Sequence, residues 1–317
     1  MTKPAPLISV IVPVYKEEAN IGPFLSRAVP ALEAIGSYEL IFVLDPSPDR
    51  TEEVIEQAIE TNPNIGLIVM SRRFGQPSAT MAGILECSGQ TCVVIDVDLQ
   101  DPPELIADLY KKHLDGFDVV YATRRSRKGE TWVKLLVSVF GYWVINRLSD
   151  IRIPRNTGDF RLMTRRVIEE LRQLPERHGF LRGLVAFVGF KQAAVEYDRE
   201  ERAFGQGNYN RLLGSMRIGL NGLIGFSTAP LSLLMWTGAA IATLSVVGIL
   251  FIFMTFLAGT HYPLGVPTLI VLTLFLGGVQ LAGIGLLGEY IGRIYEEVRH
   301  RPRYIMAKRI NLPPPPP

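Results

Sequence analysis

The stretch TCVVIDVDLQDPPE, Thr91 to Glu104, decides the fold. It opens on Val93, Val94 and Ile95, a β-branched apolar run of the kind that forms a strand buried on both faces. Three aspartates follow within six residues, Asp96, Asp98 and Asp101, and then Pro102 and Pro103 end regular pairing. Carboxylates so close together repel, and they take up protons unless something positive sits among them. A metal ion, a basic side chain or solvent can each meet that need.

Outward from this strand the same pattern recurs. LISVIVPVY (Leu7–Tyr15), YELIFVLD (Tyr38–Asp45), NIGLIVMS (Asn64–Ser71) and FDVVYATR (Phe117–Arg124) read as further strands, with helical segments between them. Strands alternating with helices predict an α/β fold whose parallel sheet is covered on both faces. Such sheets bind ligands beyond the carboxyl ends of their strands. Polar residues gather there after three strands: Tyr15 to Glu17, Asp45 to Asp49, and Asp96 to Asp101. Past Arg124 the pattern changes. Residues 131–148 read as an amphipathic helix, residues 156–174 as a turn and short strand entering a helix, and residues 185–197 as one or two strands.

The chain is 48% hydrophobic yet 20% charged, and the charge is unevenly spread. No Asp, Glu, Lys or Arg occurs from Ile218 to Gly288. Within that region Pro230–Gly259 and Pro267–Gly288 each reach the ~20 apolar residues needed to span a bilayer. The connector Thr260–Val266 has no Lys or Arg, whereas Arg202, Arg211 and Arg217 precede the first span and six Lys or Arg residues follow the second. The positive-inside rule then puts both termini in the cytoplasm. The weakly basic stretch Asn208–Phe226 has the character of a helix lying at the membrane interface. The expected organisation is a soluble domain (1–205), an amphipathic juxtamembrane segment (206–229), spans at 230–259 and 267–288, and a basic cytosolic tail (289–317).

Composition also argues against several classes. A net charge of +2 does not suggest a nucleic-acid partner. Cys87 and Cys92 read as reduced packing residues rather than a disulfide framework, and the four histidines lack zinc-type spacing. The N-terminal apolar run is short and broken by Pro13, so no signal peptide is expected.

Four clusters are candidates for chemistry, and each has a plainer reading. Asp96 and Asp98, at i and i+2 of an extended segment, face the same way and can share one divalent cation, Mg2+ or Mn2+; the alternative is a solvated acidic loop. Asp45, in LDPSPDRT, can accept hydrogen bonds from a base or ribose, or can simply serve a turn. Arg124 and Arg125, in TRRSRK, suit a phosphate or form a solvated loop. Asp159 and Arg161, in TGDFRLM, share a face as an acid–base pair or as a structural salt bridge.

Seven stretches carry a family likeness: SVIVPVYKEEANI (Ser9–Ile21), SRRFGQPSATMAGI (Ser71–Ile84), DVDLQDPPE (Asp96–Glu104), NTGDFRLMTRRV (Asn156–Val167), PERHGFL (Pro175–Leu181), FSTAPL (Phe226–Leu231) and LLGEYIGRIYEEVRHRPRY (Leu286–Tyr304). With them the chain resembles the membrane-bound polyprenyl-phosphate glycosyltransferases of glycosyltransferase family 2. These include the dolichol-phosphate mannosyltransferases and, in particular, the bacterial bactoprenol glucosyltransferases of the GtrB type. The resemblance implies a GT-A, Rossmann-like catalytic domain with two transmembrane helices in the inner membrane, assembled as a homo-oligomer, a tetramer. It implies inverting transfer of a sugar to undecaprenyl phosphate; the bactoprenol likeness favours glucose from UDP-glucose and leaves mannose, galactose or a modified aminoarabinose open.

By the same resemblance Pro13, Tyr15, Glu17, Asp45, Arg73, Asp96, Asp98 and Gln100 bind the donor. Asp98, Asp96 and Gln100 hold the metal. Arg124, Arg125, Arg161 and Arg202 hold the acceptor phosphate. Asp159, Asp98, Arg124 and Arg161 form the catalytic set. The chain departs from the family pattern twice: relatives usually read DDGS or NDGS where it has LDPS (Leu44–Ser47), and often Ser-Lys-Tyr where it has Gly207, Asn208 and Tyr209. A processive polysaccharide synthase is disfavoured, because none of the three tryptophans follows an Arg as the Q-x-x-R-W motif requires. A non-catalytic nucleotide-sugar-binding partner of a lipid flippase would not need the acids and arginines together.

Overall fold

The computed structural model describes residues 5–125, 157–174, 181–199, 229–259 and 265–313. Strands β1 (Ile8–Val14), β2 (Tyr38–Leu44), β3 (Ile65–Met70), β4 (Thr91–Val94) and β5 (Val119–Arg124) alternate with helices α1 (Glu18–Glu33), α2 (Thr51–Thr61), α3 (Gln76–Glu86) and α4 (Leu105–Leu114). Then come β6 (Thr157–Thr164), α5 (Arg165–Gln173), α6 (Leu181–Val188) and β7 (Gln192–Tyr197). Two long helices, α7 (Ala229–Leu257) and α8 (Val266–Val298), precede a last strand, β8 (Met306–Ile310).

The eight strands form one sheet in the order β7-β5-β6-β4-β1-β2-β3-β8. β1 lies parallel between β2 and β4, and every residue of it is buried. Successive side chains of β1 enter opposite layers, as the two-residue period of a strand demands. Val10 and Val12 join Phe24 and Leu32 on one face, while Ile11 joins Ile41, Val43 and Ala82 on the other.

Three expectations need correction. The sheet is mixed, because β6 enters antiparallel between β4 and β5, and β8 runs antiparallel along β3. Residues 185–197 are the end of a helix and a single strand. And β4 stops at Val94 instead of running on through Asp98. Pro13 supplies a reason for that last point. Ile95 N–H donates to the Ile11 carbonyl, so odd-numbered residues of β1 direct their backbone groups towards β4. At Pro13 there is no N–H to continue the ladder, and the chain turns away into the acidic segment.

Helices α7 and α8, of 29 and 33 residues, are about 43 and 50 Å long at ~1.5 Å per residue. They meet where Gly283 lies against Leu234. Trp236, Phe251, Leu257, Phe275 and Leu281 are all more than half exposed. Soluble proteins rarely leave so large an apolar surface open. Among the described residues, one segment, Phe275–Val298, is long and apolar enough to cross a membrane by length and composition. The predicted amphipathic helix at 131–148 lies outside the described residues, as does the juxtamembrane stretch up to residue 228.

Candidate active site

At the carboxyl end of β2, Asp45 is buried and its carboxylate accepts from two backbone amides, Phe74 N at 3.0 Å and Gly75 N at 2.7 Å. Gly75 has φ +89°, a conformation that other residues adopt only with strain, and it leads directly into α3. Asp45 therefore holds the β3–α3 loop, which favours the turn-building reading of this acid. On that loop Arg73 stacks over the Tyr15 ring, 4.1 Å from its centroid. Glu17 accepts from Asn20, and its own amide donates to Thr51 Oγ1 at 3.0 Å. Pro13 is buried within β1, behind this rim.

The acidic segment beyond β4 is a tight turn. Leu99 has φ +60°, and Gln100 N donates to Asp98 Oδ1 at 3.2 Å. Asp96 accepts from Gln76 Nε2 at 2.9 Å. Asp101 is buried, accepts from the Tyr197 hydroxyl and lies 3.9 Å from Arg199 Nε. Burial pushes the Asp96 carboxyl up to about 7; Asp101, Asp159 and Asp98 push the same way and Arg199 opposes them. This is an acidic centre short of positive charge.

Asp159 reaches this centre because β6 runs antiparallel to β4. Their ladder ends with Val94 beside Arg161, which leaves Asp159, two residues before Arg161, close enough to the acidic turn for its charge to act on Asp96. Arg182, at the start of α6, donates its Nε to Asp159 Oδ1 at 2.9 Å. Burial alone would raise the Asp159 carboxyl, but Arg182, Arg161 and Arg124 outweigh it and hold the group below the ordinary carboxylate range. Arg161 is itself buried and donates to the Gly158 carbonyl at 2.8 Å. Burial lowers its guanidinium to about 10, with Asp159 offsetting part of that effect. Among the described residues, Arg124 Nε and Arg161 Nε are buried without a hydrogen-bond partner. Two such donors beside an acidic centre suit an anionic ligand.

The structure thus brings together Asp96, Asp98, Gln100, Asp159, Arg124 and Arg161. Arg125 is not among them: one residue beyond Arg124, it is exposed and paired with Glu196 at 3.6 Å and Asp198 at 3.4 Å. Arg202 lies outside the described residues. Sequence reasoning missed Gln76, Arg182, Tyr197 and Arg199, which arrive from α3, α6 and the end of β7. The likeness-bearing stretch PERHGFL stops one residue short of Arg182.

A Rossmann-like sheet that admits an antiparallel strand, carrying a second acid up to its acidic turn, has the GT-A arrangement of a glycosyltransferase. The chain belongs to glycosyl transferase family 2, whose pattern matches residues 9–172. It is 43% identical over 302 residues to the uncharacterized glycosyltransferase sll0501 of Synechocystis, covering 95% of this chain and 94% of that protein. It is 40% identical over 304 residues to the SfII prophage-derived bactoprenol glucosyl transferase of Shigella flexneri, covering 95% and 97%. Among solved structures, glucosyl-3-phosphoglycerate synthase from Mycobacterium tuberculosis is 20% identical, with a TM-score of 0.49, over 69% of this chain and 79% of that one.

Proposed function

We propose that this protein transfers glucose from UDP-glucose to the phosphate of a membrane polyprenyl phosphate, undecaprenyl phosphate, with inversion at the anomeric carbon. The observation that carries this reading is the facing of two unlike centres. The acidic turn at Asp96 lacks positive charge, while Asp159 opposite it is held ionised by arginines. A relative 40% identical over nearly the whole chain is named for bactoprenol glucosyl transfer, which supports glucose as the transferred sugar and a polyprenyl acceptor here.

The acidic turn fits a divalent ion. Burial, with the neighbouring carboxylates, holds the Asp96 carboxyl partly protonated near neutrality, and oxygen donors are what Mg2+ and Mn2+ select. Asp98 and Asp96 would hold the ion with Gln100 alongside. Among the described residues no three His, Cys, Asp or Glu side chains form a complete metal site, so donor phosphates and water would supply the remaining ligands. When bound, the ion supplies Lewis-acid neutralisation of the charge on the departing UDP.

The chain's own residues do the rest. The loop held by Asp45, with Tyr15, Glu17 and Arg73 at its rim, receives the nucleoside. Arg124 and Arg161 present buried N–H groups to the acceptor phosphate, joined by Arg202 from the juxtamembrane side. A phosphate oxygen attacks the anomeric carbon, the bond from that carbon to the UDP oxygen breaks, and UDP leaves on the opposite face. The acceptor phosphate is already ionised near neutral pH and needs little deprotonation. Asp159, held below the usual carboxylate range, is a poor base there; it orients Arg161 and Arg182 instead.

The lipid acceptor accounts for α7 and α8. A polyprenyl chain leaves the bilayer at a cost of about 0.8 kcal/mol per CH₂, so the enzyme must work at the headgroup plane. Both helices then span the inner membrane, with the catalytic domain and both termini cytoplasmic. Assembly into a homotetramer rests on the family resemblance alone. The test is a panel of nucleotide sugars offered to the purified protein with undecaprenyl phosphate and Mg2+ or Mn2+. Lipid-linked glucose from UDP-glucose is expected, and no transfer from any donor would sink the reading.

A further inference from the structure

We propose that the C-terminal strand β8 is a working part of the donor site: it fixes the Ser71–Gly75 loop and ties it to the end of α8. This rests on the reading of that loop as donor-binding.

Seven residues, 299–305, separate α8 from β8. Fully extended they reach at most about 25 Å. β8 runs antiparallel to β3, pairing Met306 with Met70 and Ile310 with Leu67. It therefore enters the sheet at the carboxyl end of β3, the edge that carries the site. The end of α8 is held within that reach of the same edge.

The first residue beyond β3 is bonded to this segment: Ser71 N–H donates to the Ile305 carbonyl at 2.8 Å. Arg72 stacks on Phe74 at 3.9 Å, and Arg73 stacks on Tyr15. Asp45 then clamps Phe74 and Gly75. The loop is thus pinned at one end by the C-terminal segment and at the other by the body of the domain.

The same segment holds α3, the helix this loop feeds. Arg309 Nη2 lies 3.0 Å from Glu86 Oε2 at the end of α3, and the Tyr304 hydroxyl reaches Glu86 at 3.5 Å. Glu86 is only 10% exposed and Arg309 24%. The opposite end of α3 carries Gln76, which touches Asp96. Lys308 adds an ion pair to Glu52 of α2 at 2.7 Å. Leu312 covers Gly66 of β3, where any side chain would collide with it. Neither Glu86 nor Arg309 has a part in the transfer chemistry, yet a partly buried pair persists only where geometry holds it.

The experiment uses the full chain in nanodiscs, with Arg309→Glu, Glu86→Arg and the charge-swapped double variant. Amide hydrogen exchange across 71–76 and calorimetric binding of UDP are read alongside the thermal midpoint. Each single variant is expected to speed exchange across 71–76 and weaken UDP binding by about tenfold, with the swap restoring both. A folded Arg309→Glu protein with unchanged exchange and unchanged UDP affinity overturns the proposal. So does a swap that regains its thermal midpoint but not the loop's protection. If wild-type protein binds no UDP, the proposed function fails, while exchange at 71–76 still decides whether the strand holds the loop.

Discussion

Arg182 Nε donates to Asp159 Oδ1 at 2.9 Å, joining the start of α6 to the strand that carries the second acid of the site. Arg161, the cation nearest in sequence, spends one N–H on the Gly158 carbonyl. Removing Arg182 would leave a partly buried carboxylate with weaker compensation, and it would be free to turn. Arg182→Gln should lower kcat by ~10²-fold or more, the scale for misplacing a group at the reacting centre. Arg182→Lys should recover part of that loss. Initial rates and thermal midpoints on one preparation decide it: a lower midpoint with an unchanged rate per folded molecule would make the pair purely structural.

Asp159→Asn keeps the side chain's shape but removes the charge that three arginines face. Transfer should fall by ~10²-fold or more, with little change in the folded fraction. If Asp159 orients groups rather than taking a proton, the residual activity should keep the wild-type pH profile between neutral and mildly acidic pH. A profile that loses an ionisation on this substitution would restore Asp159 as the base.

Asp98→Ala should abolish transfer and leave membrane insertion unchanged, and chelation of wild-type protein with EDTA should have the same effect. Both follow from an acidic turn whose charge needs a divalent cation. Turnover near the wild-type rate in EDTA would remove the metal from the mechanism.

The pH dependence of the metal-free protein has a definite sign. The Asp96 carboxyl is raised from 3.8 to about 7 in the fold, so the fold favours its protonated form. That contribution is fully present below about pH 4 and is lost as pH rises through about 7. In EDTA the thermal midpoint should fall over this window relative to Asp96→Asn, and Mg2+ or Mn2+ should reverse the fall. Parallel midpoint curves for the two proteins would contradict it.

The loop Thr260–Val266 should lie across the membrane from the catalytic domain. β7 precedes α7 and β8 follows α8 in one and the same sheet, so an even number of crossings separates them. A single cysteine in this loop should react with an impermeant reagent from the periplasmic side. Labelling from the cytoplasmic side alone would overturn the two-span arrangement.

Much of the fold was legible because its signals are local. The apolar runs of β1 to β5, the Pro and Asp clusters after them and the charge-free stretch from Ile218 to Gly288 each announce themselves within a few residues. So do Asp96, Asp98 and Asp159, which carry charge where a strand should be apolar. Tertiary structure alone decided which of these meet. β6 could be read as a strand, but its antiparallel insertion beside β4, which brings Asp159 near Asp96, depends on partners about 65 residues away in the chain. Arg182 and Arg199 look like ordinary surface arginines until α6 and β7 carry them to the acids. Arg125 looked like a twin of Arg124 until the end of β5 turned the two apart, one towards the acids and the other to Glu196 and Asp198. The basic tail carried no strong strand pattern, because an edge strand such as β8 mixes Lys and Arg with its apolar residues and takes its order from the neighbour it pairs with.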